Sequence, residues 1–359
     1  MTRKIILFIP SIEGGGVEKN FFLILNYLEK KFKKIFIVTA NTNYKDSFHK
    51  NIVVICPKTK KWVRRNRKLK TIISMILLIR NFFNKKILIL SFQSNISAIL
   101  ISKLFNFKII IRLNTSIEKY IKHFLKKKFF NFFYNFADDI VVNSIFFKKE
   151  IKKKFNLNSE LIYNSFEKSN QKKKLFFFKN YKGLKIINIA RLTDQKDQIT
   201  LIKALNLLKK KEIDFRCCII GSGKEKNKLS NYINREKLNK FIKLIGYKKN
   251  AQNYLSICDL FILTSKFEGL PNVLIEAQSK NIPIISSNCP TGPKEILLGG
   301  VLGDLFKVSD YKKLSKLIIN FKTDKKKLIK KSIKSQKFLK RFDLKKNCEK
   351  YAKLILKHY

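Results

Sequence analysis

The chain has 359 residues, a hydrophobic fraction of 45% and a formal net charge of +53. That length accommodates two ordinary domains, and that apolar content separates the chain from disordered sequences. No apolar run approaches the roughly 20 residues a bilayer-spanning helix needs, which argues against an integral membrane protein.

So large a positive charge points toward nucleic acid or anionic membrane. The lysines, however, are spread along almost the whole chain, and Ile, Asn, Phe and Tyr are the other abundant types. This is the pattern of drift toward A/T-rich codons, and it makes much of the charge a compositional background, set against the alternative of a selected surface. A nucleic-acid binder would gather its cations among stacking aromatics on one face, so no nucleic-acid partner is expected. A lysine-coated surface is drawn to acidic phospholipid whatever its origin. Cys56, Cys217, Cys218, Cys258, Cys289 and Cys348 form no metal-like pair and read as reduced, mostly buried thiols of a cytoplasmic protein. The opening MTRKIILFIPSIEGGG lacks the apolar length and cleavage pattern of a signal peptide and reads as a first strand.

In chain order, apolar runs predict strands at 4–9, 34–38, 52–56, 87–91, 108–112 and 139–143. A second series follows at 185–190, 215–220, 241–245, 259–263 and 282–286. Near-continuous Ile/Val/Leu runs are the mark of parallel strands buried on both faces, and the alternation with amphipathic segments predicts a doubly wound α/β fold occurring twice. The predicted division is a first domain over 1–166, a polar, Lys-rich linker over 167–183 and a second domain over 184–342. A helix is predicted at 343–359, and the ligand cleft at the carboxyl ends of both sheets.

Several segments of the first half stand out. Gly14-Gly15-Gly16-Val17-Glu18 follows the first strand and opens a helix, without the later glycines of a dinucleotide fingerprint. Residues 58–70, KTKKWVRRNRKLK, join Arg64 and Arg65 to the only tryptophan, Trp62, and suit a lipid headgroup or an acceptor pyrophosphate. Arg112 and Asn114 end a strand on the cleft side. In 119–136, Leu125, Phe129, Phe132, Phe133 and Phe136 share one helical face with Lys119, Lys122 and Lys126 elsewhere, a stripe that suits a core-packed helix or one touching a membrane. Asp138-Asp139 precedes a strand and does not make a metal site; no metal site is expected.

The second half carries the most informative segment, Ser265-Lys266-Phe267-Glu268-Gly269-Leu270-Pro271-Asn272-Val273-Leu274-Ile275-Glu276. A strand leads into a Gly-Leu-Pro-Asn turn, and a helix follows with Pro271 suited to its first position. The helix N-terminus favours an anion. Glu268 is expected in the mouth of the cleft, with Glu276 about a turn and a half further in. Such an arrangement suits a ligand with phosphates and several hydroxyls, and a nucleotide sugar is one.

This segment resembles the donor-site signature of the family 4 glycosyltransferases, retaining enzymes of GT-B fold, in which two glutamates flank seven residues around Glu-Gly-Phe/Leu-Pro-Asn. The resemblance covers nearly the whole chain and is most specific between about residues 185 and 305. It implies two Rossmann-like domains facing across a cleft, with the C-terminal helix crossing back to the first. In Ala190-Arg191-Leu192-Thr193-Asp194-Gln195-Lys196 it implies that Arg191 and Lys196 grip the donor diphosphate, Arg as a fork and Lys as a point charge. Asp197 stands where a glycine is common, which should alter the turn. Gly15 and Gly16 are implied to reach the diphosphate, Gly221 to pass close to nucleotide, Tyr247 to lie near the base, and Thr291-Gly292 to lie near the diphosphate and sugar. Glu276 is implied to hold the ribose, and Glu268, with Gly269, Leu270, Pro271 and Asn272, the donor sugar. Many members carry a histidine where Asn114 stands here, so the leaving phosphate is the candidate proton acceptor.

The expected activity is retaining transfer of a hexose or N-acetylhexosamine from a nucleoside-diphosphate sugar, with a uridine-linked donor expected, to a lipid-linked or other glycan. No cofactor or metal is implied. The setting is cytoplasmic and peripheral on the inner face of the cell membrane. An epimerase or hydrolase of the same fold is the nearest rival.

Overall fold

The computed structural model describes residues 4–44, 48–115, 124–168, 171 and 173–358. The chain divides into two compact units, Met1–Ser165 with Phe342–Tyr359, and Phe166–Arg341.

In the first unit the apolar runs form β1 (Lys4–Phe8), β2 (Ile35–Val38), β3 (Ile52–Ile55), β4 (Ile87–Ser91), β5 (Lys108–Leu113), β6 (Asp139–Val142) and β7 (Glu160–Leu161). They pair in parallel in the order β3-β2-β1-β4-β5-β6-β7. Side chains of a strand alternate between faces, and β1 divides accordingly. Ile5 and Leu7 pack with α1 (Gly16–Leu28) and the C-terminal helix α12 (Leu344–His358). Ile6 and Phe8 pack with α2 (Arg67–Phe82), α3 (Asn95–Leu104), α4 (Phe124–Tyr134) and α5 (Ile145–Phe155). Among the described residues, side-chain caps start three of these helices where the sequence offers a short polar residue: Asn66 accepts from the Leu69 N–H, Ser144 from the Phe147 N–H and Asp343 from the Lys346 N–H.

The second unit repeats the plan with β8 (Leu184–Ile189), β9 (Phe215–Ile220), β10 (Ile242–Gly246), β11 (Leu260–Leu263), β12 (Ile284–Ser287) and β13 (Asp304–Phe306), in the parallel order β10-β9-β8-β11-β12-β13. Its helices are α6 (Gln198–Lys210), α7 (Lys226–Arg235), α8 (Asn272–Ser279), α9 (Gly292–Ile296), α10 (Tyr311–Thr323) and α11 (Lys325–Ser335). In each sheet the strand order reverses once, between β1 and β4 and between β8 and β11. In open α/β sheets ligands bind just outside the carboxyl ends of the strands at such a reversal.

Three features depart from the sequence reading. The short edge strands β7 and β13 were not predicted, because neither carries a continuous apolar run. Residues 167–183 were predicted as a linker but lie in the second unit. Leu175 and Phe178 are buried, the Lys173 N–H donates to the Asn253 carbonyl at 2.9 Å, and Arg216 donates to the Phe177 carbonyl at 2.7 Å. Leu175, Phe177 and Phe178 supply the apolar contact that a polar count overlooks. Finally, the first unit takes back Phe342, whose ring meets Tyr163 edge-on at 5.3 Å. Among the described residues no helix is long and apolar enough to cross a membrane.

Candidate functional site

At the carboxyl end of the second sheet, consecutive loops are laced by backbone hydrogen bonds. The Ala190 N–H donates to the Ile220 carbonyl at 3.0 Å and the Leu192 N–H to the Ser222 carbonyl at 2.8 Å. The Gly221 N–H donates to the Gly246 carbonyl at 2.9 Å. A Cβ on Gly221 would lie 1.9 Å from the Ala190 oxygen, so any side chain there would push the loops apart. Tyr247, next to Gly246, is 63% exposed and stands on the rim of this end of the unit. Arg191, two residues past the end of β8, is exposed, and its side chain has no hydrogen bond or ion pair among the described residues.

From Arg191 the chain turns through Asp194–Lys196 into α6. Asp197 does not alter the turn by avoiding the glycine conformation. It adopts left-handed backbone itself, φ 47° and ψ 44°, and its carboxylate accepts from Thr200 at 2.8 Å and Ser309 at 2.9 Å.

The strand reversal brings the β8 loop against the β11 loop, 72 positions away. Lys196 Nζ donates to Glu268 Oε1 at 2.5 Å, and Ser265 Oγ donates to the same oxygen at 2.6 Å. Thr264 Oγ1 donates to the Lys196 carbonyl at 2.9 Å. The Lys266 N–H donates to the Gln195 carbonyl at 2.8 Å, and the Gln195 amide returns a bond to the Phe267 carbonyl at 2.9 Å. The β12 loop joins in: Ser287 Oγ donates to the Ser265 carbonyl at 2.6 Å, and the Thr291 hydroxyl to the Glu268 and Gly269 carbonyls. Gly292 is where this packing is tightest, since a Cβ would lie 2.2 Å from the Gly269 oxygen. Ser265, Thr264 and Gln195 were not singled out in the sequence; their signal is a short polar side chain at a strand end or turn, which is too common to stand out.

Two expectations are therefore corrected. Glu268 is 8% exposed and does not sit open in a mouth; its Oε1 is held by Lys196 and Ser265, while Oε2 carries no hydrogen bond among the described residues. Pro271 is the residue before α8 and not its first: its φ −71° and ψ 107° are extended, as the residue that starts a helix requires. Leu270 and Pro271 are buried; Asn272, first in α8, is half-buried. Glu276 is half-buried on α8, about 6 Å along the axis from Asn272 at 1.5 Å per residue. The end of the unit thus offers an open guanidinium, a lysine–glutamate pair whose charges offset one another, a helix N-terminus and a second carboxylate. Cys289 is buried, and that burial pushes its thiol up to about 12.

In the first unit, Gly15 precedes α1 and Gly16 opens it. Glu18 is buried and accepts from the Gln93 amide at 3.2 Å. Beside it Ser11 donates to Glu13 at 2.6 Å, and buried Lys70 donates to Glu13 at 3.3 Å. The Ser11 hydrogen bond, helped by Arg67 and Lys70, holds the Glu13 carboxyl below the usual carboxylate range.

Arg112 is a correction. It is 1% exposed, donates through Nε to Tyr351 of α12 at 2.8 Å, through Nη2 to Asn164 at 2.6 Å and through Nη1 to Asn114. Arg112 lies within β5, and the strand period turns it onto the α12 face. Asn114 is corrected with it: its oxygen accepts from Arg112 and its amide donates to the Phe92 carbonyl at 2.8 Å, so it is committed within the unit. Trp62 is half-buried in the 3₁₀ turn Lys60–Arg64, with Arg64 and Arg65 exposed. On α4, Leu125, Phe129 and Phe132 are exposed; Phe133, and Phe136 just past the helix, pack partly against the core. Lys119 and Lys122 of the predicted stripe lie outside the described residues.

A family model described as glycosyl transferases group 1 matches residues 168–341. An uncharacterized glycosyltransferase of Methanocaldococcus jannaschii is 30% identical over 307 residues, which cover 79% of this chain and 75% of that protein. An N-acetylgalactosamine-N,N'-diacetylbacillosaminyl-diphospho-undecaprenol 4-alpha-N-acetylgalactosaminyltransferase of Campylobacter jejuni is 28% identical over 177 residues, 48% of each chain. Anabaena HepE in complex with UDP superposes with a TM-score of 0.79 at 17% identity, over 99% of this chain and 100% of that one.

Proposed function

The chain belongs to the group 1 glycosyltransferases, and we propose that it is a retaining enzyme that moves a hexose or N-acetylhexosamine from a UDP-sugar to a lipid-linked glycan, for a cell-surface polysaccharide or glycoconjugate. The observation that carries this reading is the bond between Lys196 and Glu268 at the strand reversal of the second sheet, with exposed Arg191 on the same loop as Lys196. The uridine diphosphate in the HepE complex and the diphospho-undecaprenol in the Campylobacter enzyme's name support the choice of donor and acceptor class.

In this reading Arg191 takes the diphosphate as a fork of N–H donors. Lys196 keeps one donor on Glu268 and offers its others to the same phosphates. Glu268, its Oε1 fixed by Lys196 and Ser265, turns Oε2 to a donor-sugar hydroxyl, and the N-terminus of α8, from Gly269 to Asn272, faces the charge between them. Glu276 holds the ribose hydroxyls, Tyr247 stacks on the base, and Gly221, Thr291 and Gly292 keep the loops close enough to line the nucleotide. As the bond from the anomeric carbon to the diphosphate breaks, charge grows on the leaving oxygen, where Arg191 and Lys196 stabilise it. The acceptor oxygen bonds to the carbon on the same face, and its proton passes to the leaving phosphate. No step uses a metal, so EDTA should leave turnover unchanged. The enzyme would act in the cytoplasm at the inner face of the membrane, where it would meet its lipid-linked acceptor.

The test is a panel of nucleotide sugars read by thermal shift, followed by product analysis with an acceptor. Stabilisation by UDP-sugars and acceptor-dependent release of UDP are expected. Donor consumption at full rate without acceptor would replace the transferase reading with an epimerase or hydrolase.

A further inference from the structure

Exposed apolar side chains are unevenly placed. On α2, Leu69, Ile72 and Ile76 recur at helical spacing along one face and are 37%, 52% and 52% exposed. On α3, Leu100 and Leu104 are 42% and 69% exposed, and on α4, Leu125, Phe129 and Phe132 are 78%, 49% and 61% exposed. These three helices cover the same face of the first sheet, with α2 beside α3 and α3 beside α4. The patch is continuous at its seams. Phe83, just past α2, meets Phe105 edge-on at 5.8 Å, and Lys103 of α3 lies 4.8 Å from the ring centre of Phe136, which in turn touches Phe132. An exposed apolar layer of this kind marks an interaction surface.

Its charge is equally one-sided. Residues 47–117 contain no Asp or Glu, and α2, α3 and α4 contain none at all. Exposed Lys68 and Arg80 flank the α2 stripe, Lys103 sits on α3, and Lys126, Lys127 and Lys128 interrupt the α4 stripe. With every charge on the layer positive, a second copy of this face is repelled. Apolar side chains set among cations with no anion fit a surface that is itself apolar beneath and anionic at its boundary.

We propose that the α2–α3–α4 layer of the first unit docks on an anionic phospholipid surface, with Ile72, Ile76, Phe129 and Phe132 entering the headgroup boundary and the lysines meeting lipid phosphate. This rests on the reading that the acceptor is lipid-linked, and names the surface that brings the enzyme to it.

The test is co-sedimentation of the full chain with vesicles of phosphatidylcholine alone or mixed with phosphatidylglycerol. Binding to the mixed vesicles should be tighter by about tenfold or more and should weaken as salt is raised. A combined Ile72→Ser, Ile76→Ser, Phe129→Ser variant should lose about tenfold in vesicle affinity. All three side chains are about half exposed, so its circular dichroism and its thermal stabilisation by UDP should match the parent's. Phe176→Ser with Ile333→Ser, at exposed apolar positions of the second unit, should bind vesicles as the parent does. Wild-type binding by the first variant, or an equal loss in the second, would overturn the proposal, because binding would then follow diffuse charge. Polyglutamate capture abolished by the first variant, with vesicle binding intact, would assign the face to an acidic protein and overturn it also. Vesicle binding that behaves as described in a protein with no transferase activity would fault the proposed reaction and leave the surface standing.

Discussion

Two arginines, one in each unit, follow the same local sequence. Ile111-Arg112-Leu113-Asn114 closes β5, and Ala190-Arg191-Leu192-Thr193 follows β8; both lie at the carboxyl edge of a parallel sheet of the same winding. Arg112 falls inside its strand, so the pleat turns it into the layer beneath α12, where three neutral partners hold it. Arg191 falls two residues beyond its strand, where the loop has left the pleat and the guanidinium stands in solvent. A shift of a few residues against the strand end separates a cation that fastens the C-terminal helix from one available to a ligand. The same contrast holds between the two reversals: in the first unit Ser11, Glu13, Lys70, Glu18 and Gln93 satisfy one another, while the second leaves Arg191 open on the loop that carries Lys196 to Glu268.

Substitutions sharpen that contrast. The largest effect is expected at the pair. Glu268→Gln preserves the shape but removes the charge that anchors Lys196, and kcat/KM should fall by about 10²–10³, the scale of losing one transition-state electrostatic contact. Glu268→Ala should in addition cost about 3 kcal/mol of stability, since it leaves a largely buried lysine without its partner. Stopped-flow kinetics and denaturant melts separate the two consequences, and wild-type turnover in Glu268→Gln would remove the pair from the reaction. Arg112→Met should lower stability by roughly 3 kcal/mol by stranding Asn114, Asn164 and Tyr351, yet leave UDP affinity of the folded fraction unchanged. Arg191→Ala should do the reverse, with stability within about 0.5 kcal/mol of the parent and donor affinity down by about 10–100-fold. Glu276→Ala should weaken uridine nucleotides by about tenfold, by the loss of a charged hydrogen bond to ribose. The smallest effect concerns the thiols. Burial pushes Cys218 and Cys289 up to about 12 and Cys348 up to about 11, and drives Cys217 and Cys258 upward as well. At pH 8 these stay protonated, so native protein should react with a thiol reagent only at half-buried Cys56, and unfolded protein at all six. Rapid labelling of Cys289 in the native state would contradict the packing described at the site.

Much of this was legible in the sequence because parallel strands buried on both faces leave little choice of residue. The Ile/Val/Leu runs placed the strands longer than three residues to within about two positions. The two-residue β7 and three-residue β13 escaped because a strand at a sheet edge needs no such run. The linker reading failed at Leu175, Phe177 and Phe178, whose burial outweighed the surrounding lysines. Glu268, Lys196 and Arg191 were legible as residue types in a motif. That Lys196 and Glu268 bond to one another was not, since only the winding of the sheet brings the β8 and β11 loops together. Arg112 and Asn114 were misplaced for the same reason that Arg191 was found: the sequence shows that a strand ends nearby, and the side chain's direction depends on which residue is the last.

The most direct measurement of the central claim is the affinity of UDP for the parent, for Arg191→Ala and for Arg112→Met, by titration calorimetry. Binding weakened by about tenfold or more is expected in Arg191→Ala, and parental affinity in Arg112→Met. Parental affinity in Arg191→Ala, or loss confined to Arg112→Met, would contradict it.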